Sequence, residues 1–79
     1  MTLTKMDQLT LALETVKFQL SNYSTSDVTF NVEVWEDTLD VVFDANSDFA
    51  FFAFFDLQAS GVFGNWKFNQ RTLTMSVKL

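Results

Sequence analysis

The 79-residue chain has no cysteine, no histidine and no proline, and only two glycines. Without cysteine there is no disulfide framework and no thiolate nucleophile. Without histidine there is no imidazole base and almost no way to hold zinc. The lack of proline suits interior β-strands, where a proline forfeits a ladder hydrogen bond. Long apolar runs are missing too. The richest aromatic block, Phe49 to Phe55, is far shorter than the roughly 20 residues of a membrane helix, and no basic start with an apolar stretch suggests a leader. The expectation is a soluble cytoplasmic protein with no membrane contact, in which the sequon Asn22-Tyr23-Ser24 is a chance match.

Positive charge is also scarce. Ten acids face five bases, for a net charge of −5. Between Lys17 and Lys67 lie Asp27, Glu33, Glu36, Asp37, Asp40, Asp44, Asp48 and Asp56 with no base among them. Such a field repels a phosphate backbone, so direct nucleic-acid binding is not expected, and it serves either solubility alone or a protein partner with a basic surface.

The length allows one domain, 1–79, which buries only about 60% of its unfolded surface. Met6, Leu9, Leu13, Val16 and Leu20 recur at spacings of three and four, which predicts an amphipathic helix over about 4–21. Thr4 and Asp7 form an imperfect capping box, and the polar stretch from Ser21 to Ser26 ends the helix. From Asp27 the period changes to two. Turn residues at 36–37, 45–47, 59–60 and 69–71 then divide the rest into five strands, at about 28–35, 38–44, 48–57, 61–68 and 72–79.

The predicted fold class is therefore α+β, with one N-terminal helix packed on one face of a five-stranded antiparallel meander. Register supports it, because a one-residue slip would turn every apolar side chain to the wrong face. A two-residue turn at Glu36-Asp37 sets Val34 opposite Leu39, Val32 opposite Val41 and Phe30 opposite Phe43. The next turns pair Val41 with Phe51, Ala53 with Trp66, and Phe68 with Leu73 on that same face. The rival for 48–57 is a short second helix capped by Ser47. It would be apolar all round and would demand burial on every side.

No motif carries catalytic chemistry. Asp44-Ala45-Asn46-Ser47-Asp48 begins like an EF-hand loop, but Phe49 and Phe55 stand where that loop needs glycine and glutamate, so an Asx-rich turn is expected instead. Glu36, Asp37 and Asp40 cluster at a solvated turn, a poor setting for general acid–base work. Gly61 and Gly64 are too few for a phosphate loop. Gly61 reads as a turn residue, and Gly64 as a gap that lets the helix approach the sheet. In Trp66-Lys67-Phe68 the rings point inward, so the segment reads as core rather than a base-stacking platform. Neither an enzyme nor a bound cofactor or metal is expected.

What the five-strand parity leaves outside is an apolar patch on the sheet face away from the helix: Trp35, Val42, Ala50, Phe52, Phe54 and Phe63. Its rim carries Glu33, Asp40, Asp44, Asp56 and Lys67, and Leu11 and Phe18 form a second stripe on the helix. Those residues predict partner binding, by a small inhibitor or immunity-type accessory protein that occludes a basic site on another protein. Two alternatives use the same residues differently. One is a homodimer stacked through its sheet faces. The other is a carrier holding an apolar small molecule between helix and sheet.

Overall fold

The computed structural model describes residues 4–24 and 26–79. It is α+β, with two helices and one four-stranded antiparallel sheet: α1 (Lys5–Gln19), β1 (Phe30–Trp35), β2 (Thr38–Phe43), α2 (Ala50–Ala59), β3 (Lys67–Asn69) and β4 (Thr74–Lys78). The sheet order is β1-β2-β4-β3.

Helix α1 begins where the capping box places it. The Asp7 amide donates to Thr4 Oγ1 at 3.1 Å, and the Thr4 amide donates to Asp7 Oδ2 at 3.4 Å, satisfying donors the helix cannot use itself. Only the C-terminal half of the predicted stripe docks. Val16 and Leu20 are buried and Leu9 and Leu13 half-buried, but Met6 is exposed. The helix ends ahead of the polar stretch 21–26, in which position 25 lies outside the described residues.

The first hairpin has the predicted register: Phe30 faces Phe43, Val32 faces Val41 and Val34 faces Leu39. Its two-residue turn needs a left-handed residue, and Glu36 takes that role with φ 53°. Leu39, Val41 and Phe43 are buried on one face while Thr38, Asp40 and Val42 look out the other way.

Beyond Phe43 the five-strand expectation fails. The segment predicted as a strand over 48–57 is helix α2. Its buried residues, Ala50, Ala53, Phe54 and Leu57, recur at i, i+3, i+4 and i+7, a helical stripe in which alanines let the backbone approach the sheet. The objection that such a helix must be buried all round does not hold, because Phe51, Phe52 and Phe55 are left exposed. Nor is Ser47 its cap: Phe49 occupies that position with no side-chain bond, and the Ser47 hydroxyl donates instead to the Asp44 carbonyl.

With no strand there, the seat beside β2 goes to β4, which pairs Val41 with Met75 and Leu39 with Val77. Residues 61–66 form turns rather than the start of a strand, so β3 has only three residues. The last hairpin keeps its predicted parity but is shifted by two: Phe68 faces Met75, not Leu73. The loop over 70–73 is longer than predicted because buried Leu73 adopts φ 49° to turn its side chain into the core.

Both helices cover the same face of the sheet. Phe54 is fully buried, with its ring 5.9 Å from Phe43 on β2 and 5.4 Å from Phe68 on β3, both edge-on. Burying such a ring contributes about 1.5–3 kcal/mol. Replacing it with Ala should cost about 3–5 kcal/mol, a large share of the ~5–10 kcal/mol expected at this length. Phe51→Ala, on the outer side of the same helix, should cost less than about 1 kcal/mol. Urea unfolding followed by tryptophan fluorescence checks the pair, and equal losses would contradict the helical stripe.

The glycines divide in a similar way. Gly61 has φ 77°, a conformation costly for any residue with a Cβ. Gly64 does not sit under a helix: a Cβ there would meet only the Gly61 carbonyl, at an ordinary 3.7 Å. The same unfolding measurement should find Gly61→Ala destabilising by about 1 kcal/mol and Gly64→Ala close to neutral.

Candidate interaction surfaces

The structure separates the predicted contact residues into several places. Trp35, Glu33, Asp40 and Val42 do share the sheet face that neither helix covers. Register aligns that face in cross-strand rows: Glu33, Asp40, Ser76 and Lys67 form one, and Trp35, Thr38 and Lys78 another. Glu33 and Asp40 stand directly opposite each other, an arrangement of like charge that costs stability. The acids lie on the β1–β2 side and Lys67 and Lys78 on the β3–β4 side, so the face is charged from one edge to the other rather than uniformly acidic. Lys78 approaches Asp37 only to 4.0 Å at the surface, a pair worth little.

Phe54 and Phe63 are not on any outer surface. Both lie in the core, Phe54 because it belongs to the inward stripe of α2 and Phe63 because its turn folds it against Trp66, 5.4 Å away and edge-on. Ala50 is buried for the same helical reason as Phe54. Asp44 is exposed, yet its carboxylate serves the turn: Oδ1 accepts from the Asn46 amide at 2.9 Å and Oδ2 from the Thr29 hydroxyl at 3.4 Å. The loop is thus the expected Asx turn, leading into a helix instead of a hairpin. Leu11 and Phe18 are exposed on α1. Trp66 and Phe68 pack against the core and Lys67 points out.

Phe52 is exposed, but on the helix layer rather than on the sheet. There it joins residues that strand parity had assigned to the interior. Phe51, Phe52 and Phe55 are 52, 65 and 44% exposed and lie together on the side of α2 opposite its buried stripe. Phe49 extends the patch, its ring 6.0 Å from Phe52 and 6.4 Å from Tyr23. Taking about 200 Å² for a whole phenylalanine, the four expose on the order of 400 Å² of aromatic surface. That is comparable to the largest apolar patch of a typical monomer, which is often functional. Exposed Asp48 and Asp56 flank it. The signal that identifies these residues in the sequence is the i, i+3, i+4, i+7 spacing of Ala50, Ala53, Phe54 and Leu57.

Strand β1 is the second surface that parity missed. Val32 and Val34 point to the helix side as predicted, but the helices stop short of this edge and leave them 39 and 48% exposed. Between the end of α1 and the start of β1 is an open cleft of about 540 Å³ with an apolar floor of Leu20, Val28 and Phe30 and with Lys17 and Ser24 on its walls. Among the described residues no group of acids converges to hold a metal ion, and no helix is long and apolar enough to cross a membrane.

One polar contact ties these parts together. The hydroxyl of Tyr23 donates to Asp56 Oδ2, linking the chain after α1 to the outer side of α2. That bond, with a smaller desolvation cost and the negative charge of Asp56, holds the phenol proton and raises Tyr23 above its ordinary 10.0. Because the folded value exceeds the unfolded one, the associated stability is complete below the unfolded value and is lost as pH rises through the folded one. Tyr23 is the sole tyrosine, so tyrosinate absorbance reports it alone. Its midpoint should lie above 10.0 and fall in Asp56→Ala, and an unchanged midpoint would mean the contact is absent in solution.

No protein-family model matches the sequence, and comparison with curated proteins and with solved structures finds no match in either.

Proposed function

We propose that this chain is a non-enzymatic protein-binding module, an inhibitor or immunity-type accessory protein that occludes a basic site on a partner protein. The observation that carries the reading is the phenylalanine face of α2. Phe51, Phe52 and Phe55 face outward and lie beside the carboxylates of Asp48 and Asp56. Rigid aromatic anchors with a charged border match the division of labour at interfaces, where buried rings set lifetime and rim charges set the rate of encounter.

Magnitudes favour a foreign partner over a second copy on this face. Two such patches facing each other bury only about 800 Å², below the roughly 1,200–2,000 Å² of a stable interface. Pairing also brings two chains of charge −5 together, whereas a cationic partner turns the same charge into attraction.

The test is affinity capture from the native source with wild type and with a Phe52→Ser, Phe55→Ser variant whose fold is checked by circular dichroism. The expected result is one or more basic proteins recovered by the wild type, released by salt and missing with the variant. Identical recoveries from both, or no basic protein from either, would sink the reading.

A further inference from the structure

We propose that the free edge of β1 is a docking site for an extended basic segment of another protein, which joins the sheet as a fifth, antiparallel strand next to β1. Natural sheets blunt their edges with short strands, charged side chains, lysine above all, proline or bulges. The opposite edge follows that rule, since β3 has three residues and includes Lys67. Strand β1 follows it only through the single charge of Glu33. It has six residues, Phe-Asn-Val-Glu-Val-Trp, exposed from Asn31 onward, with neither proline nor a base.

The hydrogen-bond phase says what this edge offers. The Asp44 amide donates to the Thr29 carbonyl at 2.8 Å, and the ladder register continues from there. Asn31, Glu33 and Trp35 therefore turn their backbone groups toward β2, while Phe30, Val32 and Val34 turn theirs to the open edge. The residues whose N–H and C=O groups have no partner among the described residues are thus the ones whose apolar side chains lie on the helix side. A strand added antiparallel places its own outward-bonding residues opposite these three and on the same face. Its alternate residues fall beside Asn31, Glu33 and Trp35 on the other face.

That geometry specifies the ligand as alternating apolar and basic. Apolar side chains cover Val32 and Val34, which are otherwise half exposed. Lysine or arginine meets Glu33, with Asp40 directly behind it in the next strand and Glu36 and Asp37 at the turn, and it can rest on the exposed face of Trp35. From Val28 to Asn65 the chain contains no base to oppose it. A second copy could pair at the same edge with Val32 opposite Val32, but it brings equal negative charge, so charge complementarity selects the basic segment. Main-chain bonds along an edge with side-chain pockets setting preference is an established mode of peptide capture.

The test uses a short peptide of alternating valine and lysine, titrated by calorimetry at low salt, with amide hydrogen exchange as second readout. Binding is expected together with slowed exchange at Val32 and Val34. N-methylating the peptide's valines, whose amides face β1, should weaken binding by about tenfold or more. N-methylating the lysines should leave it unchanged, and a valine–glutamate peptide should not bind. The Phe52→Ser, Phe55→Ser variant should bind the peptide like wild type, which separates this edge from the α2 face. Val32→Pro removes an outward N–H and the valine side chain without breaking a bond to β2 and should abolish binding; if it does not fold, the methylated peptides decide. No binding, equal binding of both methylated peptides, or loss in the α2 variant would overturn the assignment. So would a sedimenting dimer in which Val32 and Val34 amides are already protected.

Discussion

Everything in this fold depends on one ring finding its place. Phe54 projects from α2 into the space between Phe43 and Phe68 and is fully enclosed. That contact requires the segment after β2 to leave the sheet, because a strand there would keep Phe54 on the face opposite to Phe43. Once the chain has left as a helix, the seat next to β2 is empty, and β4 fills it through the pairs of Val41 with Met75 and Leu39 with Val77. The order β1-β2-β4-β3 follows from that substitution.

The same constraint creates the surplus surface. A chain of 79 residues with ten phenylalanines has more apolar area than so small a core can enclose. The core takes Phe43, Phe54 and Phe63 completely and shares Phe30 and Phe68. The remainder of α2's aromatic set is left on its outer side. At the sheet, the two helices sit over β2, β4 and β3, so the apolar row of β1 runs out from under them after Phe30. The exposed rings of α2 and the open edge of β1 are thus two consequences of one packing choice, although they offer different chemistry. One is an aromatic patch, and the other is a row of backbone groups in an acidic setting.

Charge adds direction to these surfaces. Half of the acidic block that dominates the sequence, Glu33, Glu36, Asp37 and Asp40, lies on the β1–β2 hairpin, where Glu33 and Asp40 oppose each other, while Lys67 and Lys78 lie toward the far edge. Two carboxylates facing across a ladder work against folding, and the base in their row, Lys67, stands three strands away from Glu33. Local stability does not account for that arrangement, whereas a cationic partner at the β1 edge would relieve it.

Several elements were legible in the residues. The start of α1 is written in Thr4 and Asp7, and the first hairpin's register in the two-residue turn at Glu36-Asp37 combined with the alternation of Phe30, Val32, Val34, Leu39, Val41 and Phe43. The acidic character of the middle of the chain is plain as well. These features depend on bonds or repeats spanning a few neighbouring positions, which the order of residues specifies directly. The state of residues 50–59 did not belong to that class. When nearly every position is apolar, a period of two and a period of 3.6 can both be read into the same letters, and the choice rests on which surface the segment meets. Only tertiary structure supplied that surface, by bringing Phe43 and Phe68, distant in the chain, to either side of Phe54. It thereby decided that Phe52 faces solvent from a helix, that Phe54 and Phe63 are core, and that Val32 and Val34 are left bare.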